Sequence, residues 1–159
     1  MYKNSNIRAD GVYEIYPDGK NKISAYCEMS SGGRTRLMAK FAKITGEFNK
    51  SWAEYKNGFG NLSWNHWIGL DNMYQLTNRK KMNLFIELKN KDLSITYSNF
   101  YIESEENFFK INFAESLNDD LANYSINLNG KYFTAFDRDN DNDETRNCAE
   151  VYTGGSFFK

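Results

Sequence analysis

Between Asp137 and Glu144 the chain carries an acidic side chain at every second position, Asp137, Asp139, Asp141 and Asp143, with Glu144 directly after. Five like charges within eight residues repel one another, so a bound cation or full solvation must offset them. The run is therefore read as a loop. Carboxylates at alternate loop positions offer one face of hard oxygen donors, the ligand type Ca2+ takes. Mg2+ suits the run less well, because it prefers a stricter octahedron and retains its waters. Asp139, Asp141, Asp143 and Glu150 also stand at positions one, three, five and twelve of an EF-hand loop. That motif fails where Glu144 replaces the turn glycine and Arg146 replaces the apolar position eight. A solvated acidic loop that holds no ion is the plain alternative.

The length of 159 residues suits one domain, long enough to bury roughly two-thirds of its unfolded surface. Aromatic residues make up 16% of the chain, so the core is expected to rest on rings, several with polar tips that need partners. A net charge of -1 with both signs interspersed offers no electrostatic case for nucleic acid or an anionic membrane. No apolar run approaches the ~20 residues of a membrane span, and no secretory leader follows Met1. Two cysteines, Cys27 and Cys148, are too few for a disulfide framework. A single histidine and no paired Cys motif argue against a structural zinc site.

Alternating apolar residues at 12–16, the turn Pro17-Asp18-Gly19-Lys20 and a second alternation at 23–29 predict a hairpin. A further strand is expected over 36–41. Phe48, Trp52, Tyr55 and Phe59 recur at helical spacing before the Asn57-Gly58 stop. Asp71-Asn72 predicts the cap of a second short helix ending near Thr77. Strands are expected over 84–88, 94–101 and 108–113, joined by polar turns. After Asn118 regular patterning fades. The whole, residues 1–159, reads as one α+β domain, a twisted, mainly antiparallel sheet with short flanking helices and an irregular C-terminal region.

No residue pattern supports catalysis. His66 stands alone between Asn65 and Trp67, without a Ser, Cys or carboxylate partner in sequence. Glu103, Glu105 and Glu106 lie in one turn, where they cannot face each other across a cleft as a glycosidase pair does, and are read as solvated. Trp52, Trp64 and Trp67 could stack a sugar, although a core cluster is the simpler reading. Asn49-Lys50-Ser51, Asn61-Leu62-Ser63 and Asn123-Tyr124-Ser125 are glycosylation triplets on a secretory route, with Asn61 the favoured acceptor beside the Gly58–Gly60 turn.

Residue order along the chain resembles the fibrinogen C-terminal-like domains of fibrinogen, ficolins, tachylectins, angiopoietins and tenascins. The resemblance is carried by Gly11-Val12-Tyr13-Glu14-Ile15-Tyr16-Pro17, by Tyr26-Cys27-Glu28-Met29 and by the stretch from Phe48 to Leu62. It continues through Trp67-Ile68-Gly69-Leu70-Asp71-Asn72, Gln75-Leu76-Thr77, Asn129-Gly130, Phe133-Thr134, the acidic run to Glu150 and Tyr152-Thr153-Gly154-Gly155. Two departures stand out. Arg34 replaces the tryptophan usual after the glycine pair, and the family's cysteine partners for Cys27 and Cys148 fall outside this sequence, so the two are expected to remain unbridged.

What the resemblance implies is a secreted, extracellular, calcium-dependent recognition module and no enzyme. Asp139 and Asp141 would supply side-chain ligands to Ca2+, and Asp143 and Thr145 backbone carbonyls; counting back from Cys148 assigns the carbonyls to Glu144 and Arg146 instead. A ficolin- or tachylectin-like lectin of innate immunity, binding acetylated glycans, is the leading expectation. A receptor- or matrix-binding module of the angiopoietin or tenascin kind, or a shortened chain that binds nothing, are the alternatives. Family members oligomerise through upstream segments, and their ligand pocket is built largely downstream, so no ligand-contacting residue is assigned.

Overall fold

A computed structural model describes residues 9–41, 46–117 and 128–158. Among the described residues the strands form three antiparallel sheets of three strands each, so the expected α+β class holds while the pairing is divided among small sheets. In the first, β1 (Gly11–Ile15) pairs with β2 (Ile23–Glu28), from Gly11 opposite Cys27 to Ile15 opposite Ile23. The Asp18 carboxylate closes their turn by accepting the N–H groups of Lys20 and Asn21 at 2.9 and 2.6 Å. Ile23, Ala25 and Cys27 are buried, as alternation along a half-covered strand requires.

The strand expected over 36–41 shortens to two residues, and a separate two-residue strand lies just before it. β3 (Arg34–Thr35) lies beside β2, whereas β4 (Met38–Ala39) belongs to a second sheet with β6 (His66–Trp67) at its centre and β5 (Phe59–Gly60) beyond. The switch falls between two residues: Arg36 N–H still donates to Tyr26 of β2 at 2.9 Å, while the Leu37 carbonyl accepts from Ile68 at 2.9 Å. Arg36 anchors the corner through Glu28, 2.7 Å away, and stacks its guanidinium over Tyr26. Arg34, the residue that departs from the family pattern, lays its guanidinium 3.9 Å from the Phe85 ring centroid and so ties β3 to the third sheet.

That third sheet runs β7 (Met82–Leu88), β8 (Leu93–Ile102), β9 (Ile111–Asn112). The strand expected over 108–113 shortens to β9, because Phe108 and Phe109 in succession adopt φ 50°, a left-handed pair that breaks regular strand pairing. A turn over Ser104 forms instead, with Phe109 N–H donating to its carbonyl at 3.1 Å. The conformation drives Phe109 into the core, where it is 1% exposed.

Helix α1 (Trp52–Asn57) is shorter than the aromatic spacing predicts. Ser51 fixes its start through a reciprocal capping box with Glu54, leaving Phe48 in the preceding turn yet still buried. Gly58, at φ 96°, ends it as expected. Helix α2 (Leu70–Thr77) begins at Gly69 with no side-chain cap, so Asp71 lies inside the first turn and caps nothing. The helix packs on β8 and on α1.

Tyr55 on α1 is the centre of the core. Its ring meets Phe59, Trp67 and Phe133 at centroid distances of 5.1, 5.4 and 4.9 Å. Its hydroxyl donates to the Phe48 carbonyl at 2.6 Å and accepts the Gly155 N–H at 2.9 Å. Gly155 passes so close that a Cβ there would lie 2.6 Å from the Tyr55 ring. Burial pushes the Tyr55 phenol from 10.0 up to about 12. A raised folded-state value favours the protonated phenol, so its contribution is complete below pH 10 and is lost as pH rises through about 12. Tyr55→Phe leaves one buried and one half-buried backbone group unpaired and is expected to cost about 1–3 kcal/mol in urea unfolding. In the same variant the alkaline loss of stability through that pH range should diminish.

Candidate metal centre

The acidic loop leaves the core from a buried stretch, since Phe133, Thr134 and Ala135 are all fully covered. Thr134 exchanges backbone bonds with Ser156 at 2.9 and 3.1 Å, and Ala135 with Arg138 at 3.0 and 3.1 Å. The tight turn at Arg138 aims the next residues outward. Asp137 turns back, and its Oδ1 accepts the N–H of Trp52, the first residue of α1, at 2.7 Å. A carboxylate there meets the positive end of the helix and one of its unpaired donors. Asp137 therefore braces the loop against α1.

Asn140 is the inward peg. Its Nδ2 donates to the Phe133 carbonyl at 2.8 Å, and its N–H donates to Thr134 Oγ1 at 3.1 Å. On either side of it the alternating aspartates make serial side-chain-to-backbone turns. Asp139 Oδ1 accepts Asp141 N–H at 3.2 Å, Asp141 Oδ1 accepts Asp143 N–H at 2.8 Å, and Asp143 Oδ1 accepts Thr145 N–H at 3.0 Å. Asp141 Oδ2 also accepts Cys148 N–H at 2.9 Å. Each bond spans two residues, so the alternation seen in sequence is what coils the loop.

Asn147 closes the far end. Its Oδ1 accepts the N–H groups of Ala149 and Glu150 as the cap of α3 (Cys148–Val151), and its Nδ2 donates to the carbonyls of Ala135 and Phe136 at 3.0 and 3.1 Å. Both ends of the loop are thus tied to the same buried stretch. Cys27 and Cys148 are free thiols. Desolvation pushes both thiols up, and at Cys148 the bond to Asp141 adds to the effect.

Among the described residues, no three His, Cys, Asp or Glu side chains form a cation-holding group. The ligand set implied by the resemblance asks for two carboxylates and two carbonyls, and the donor types fit it. Among the described residues Asp139 and Asp141 form no ion pair, and a carboxylate oxygen that accepts an N–H retains a second lone pair. Asp143 differs: Arg146 lies 2.8 Å from its Oδ2 and the Thr145 hydroxyl donates to its Oδ1 at 2.6 Å. Those two partners, the Thr145 hydroxyl first, hold its carboxyl down from 3.8 to about 2. The carbonyls of Asp143 and Thr145 accept no hydrogen bond among the described residues, and neither do those of Glu144 and Arg146.

Other predicted positions are reassigned by packing. Glu105, read as solvated, receives Lys56 Nζ at 2.5 Å and Trp52 Nε1 at 2.8 Å, with Arg138 3.5 Å away. Lys56, then Trp52, lower its carboxyl. Arg138 also covers the Trp52 ring at 4.2 Å, so α1, the Glu105 turn and the loop entrance form one charged cluster. No sequence spacing connects residues 52, 105 and 138. His66 is fully buried with its ring nitrogens 3.0 and 3.4 Å from the carbonyls of Trp64 and Arg36, a packing role. Trp52 and Trp67 belong to the core, while Trp64 is 53% exposed.

Among the described residues, three small antiparallel sheets surround an aromatic helix, and an acidic loop is braced into that core. Residues 2–159 match the family model of the fibrinogen beta and gamma chains' C-terminal globular domain, and the chain belongs to that family. Its members are non-enzymatic binding and signalling modules, some of which bind calcium. Mouse angiopoietin-related protein 1 is 34% identical across 98% of this chain and 32% of its own length. Techylectin-5A of Tachypleus tridentatus is 30% identical across 97% of this chain and 56% of its own. The fibrinogen-like globe domain of human ANGPTL6 superposes with a TM-score of 0.76 at 27% identity, covering 96% of this chain and 69% of that one. The chain thus spans about a third of the angiopoietin-related protein. These relatives are secreted proteins, and no helix among the described residues is long and apolar enough to cross a membrane.

A depressed carboxyl stabilises the fold above its ordinary value and loses that effect as pH falls through its folded one. The Thr145 amide signal should therefore titrate with a midpoint near 2, below the ordinary 3.8, followed by NMR. In Asp143→Asn that transition should vanish.

Proposed function

We propose that this chain is an extracellular recognition module that binds acetylated glycans and takes one Ca2+ in its acidic loop. The serial turns of Asp139, Asp141 and Asp143 carry the calcium half of this reading. They hold alternating oxygens in one short coil that Asn140 and Asn147 tie to the buried Phe133 and Ala135 carbonyls. Asp139 and Asp141 supply carboxylates, and Asp143 and Thr145 supply carbonyls. Two carboxylates with neutral carbonyls correspond to a weak, extracellular-type site, with Kd on the order of 10⁻⁴ to 10⁻³ M. Likeness to a protein named as a lectin, across nearly the whole chain, supports the glycan half.

Likeness to angiopoietin-related proteins favours a second reading, in which the same module binds a cell-surface or matrix protein. Calcium serves both readings equally, since it orders the loop that either partner would meet.

Calorimetric titration with CaCl₂ should give a one-site isotherm in the millimolar range. Asp139→Asn or Asp141→Asn should weaken it about tenfold or more, as ligand-shell losses do. Asp143→Ala keeps its backbone carbonyl and should weaken binding less than either. Absence of heat at millimolar calcium would refute the metal assignment. Retention on N-acetylglucosamine resin, released by EDTA, is expected for the lectin. Lack of retention together with capture of a specific cell-surface protein would establish the second reading in its place.

A further inference from the structure

The hairpin between β5 and β6 carries a motif that the recognition reading does not use. We propose that Asn61 is an acceptor of an N-linked oligosaccharide whose first sugar lies over Trp64, an assignment that rests on the extracellular reading.

Asn61-Leu62-Ser63 has the acceptor triplet, and the fold presents it on an exposed tip. The tip is closed by Asn61 N–H donating to the Asn65 carbonyl at 2.9 Å and Trp64 N–H donating to the Asn61 carbonyl at 2.7 Å. Gly60, at φ 87°, makes this possible, since a Cβ there would stand 2.3 Å from the Asn65 carbonyl oxygen. Asn61 and Ser63 are both exposed. Asn61 Oδ1 accepts the Ser63 N–H at 2.9 Å, a local turn that draws electron density onto oxygen and makes the carboxamide N–H more acidic. The carboxamide nitrogen and the Ser63 hydroxyl make no hydrogen bond among the described residues. Both groups that an oligosaccharide transferase must engage are therefore open.

The triplet Asn49-Lys50-Ser51 differs in the atom that matters. The Ser51 hydroxyl donates to Glu54 Oε2 at 2.9 Å and accepts Glu54 N–H at 3.3 Å, as the cap of α1. Engaging that hydroxyl would uncap the helix. The third triplet, at Asn123, lies outside the described residues.

A second observation points to what the sugar covers. Trp64, 53% exposed, stacks on Phe41, 45% exposed, with centroids 5.1 Å apart and planes at 29°. Two large rings in the open, beside the acceptor and outside the core, form a patch that calls for a cover. The electron-rich ring face suits the C–H face of a pyranose, and the residue-61 to residue-64 bond holds acceptor and ring on one turn.

In the transfer, Asn61 Nδ2 bonds to C1 of an oligosaccharide carried on a polyprenyl pyrophosphate. The C1–oxygen bond breaks, the pyrophosphate departs with its electron pair, and the amide nitrogen gives one proton to a base of the transferase. Nothing is oxidised or reduced.

The test is secretion of the full chain from insect cells behind a cleavable leader, then mass spectrometry before and after peptide N-glycosidase in ¹⁸O-water. The expected result is glycan at Asn61, read as ¹⁸O-labelled Asp at that position, lost in Asn61→Gln and in Ser63→Ala and kept in Ser51→Ala. Secreted protein with Asn61 unmodified, or with glycan only at Asn49 or Asn123, would overturn the site. That outcome leaves the extracellular reading standing, whereas a chain that folds in the cytosol and is retained inside the cell despite the leader would count against that reading. Iodide quenching of tryptophan fluorescence should rise when the glycan is removed, and the rise should vanish in Trp64→Phe. Equal quenching of both forms would overturn the contact with Trp64.

Discussion

The ring of Tyr55 holds this fold together. It sits where helix α1, the second sheet and the two chain segments flanking the acidic loop meet, through Phe59, Trp67 and Phe133. Phe133 extends the contact to Trp52 and Phe157 at centroid distances of 6.0 and 5.1 Å. Offset and edge-on ring pairs contribute about 0.5–1.5 kcal/mol each beyond the area they bury. A cluster of them can replace the large continuous sheet that three short sheets cannot supply. The hydroxyl adds direction, because it bonds Phe48 and Gly155 at once.

The acidic loop inherits its geometry from that core. Asn140 and Asn147 reach back to the carbonyls of Phe133, Ala135 and Phe136, and Asp137 reaches the first N–H of α1. Loop closure costs entropy that grows only slowly with length, so a few well-placed polar anchors suffice to hold a short acidic run compact. Arg146 offsets one of its charges at Asp143. Among the described residues Asp137, Asp139, Asp141 and Glu144 form no ion pair, so the loop stays negative.

Much of the fold was legible in the residues. The first hairpin, the end of α1 at Gly58, the length of α2 and the long strands β7 and β8 follow from local periodicity and turn chemistry. The true start of α1 was also written in Ser51 and Glu54, but the aromatic spacing from Phe48 pointed further back. Phe108 and Phe109 read as strand residues because they are apolar, and burial of Phe109 overrode that preference through a left-handed turn. Of the candidate site, the alternation of Asp139, Asp141 and Asp143 was legible, but not that each would accept a backbone N–H two residues on. Glu105 was misread, and Asp137 gained a separate role, because their partners lie 53 and 85 positions away in sequence.

By themselves the residues determined the elements, the turn positions, the aromatic character of the core and the acidic coil, all of which depend on neighbours within a few positions. Tertiary structure alone decided which rings share the core, which carboxylate braces a helix, and which tryptophan faces solvent. Those outcomes depend on packing between distant segments, and a side chain's burial is a property of its surroundings that no local pattern contains.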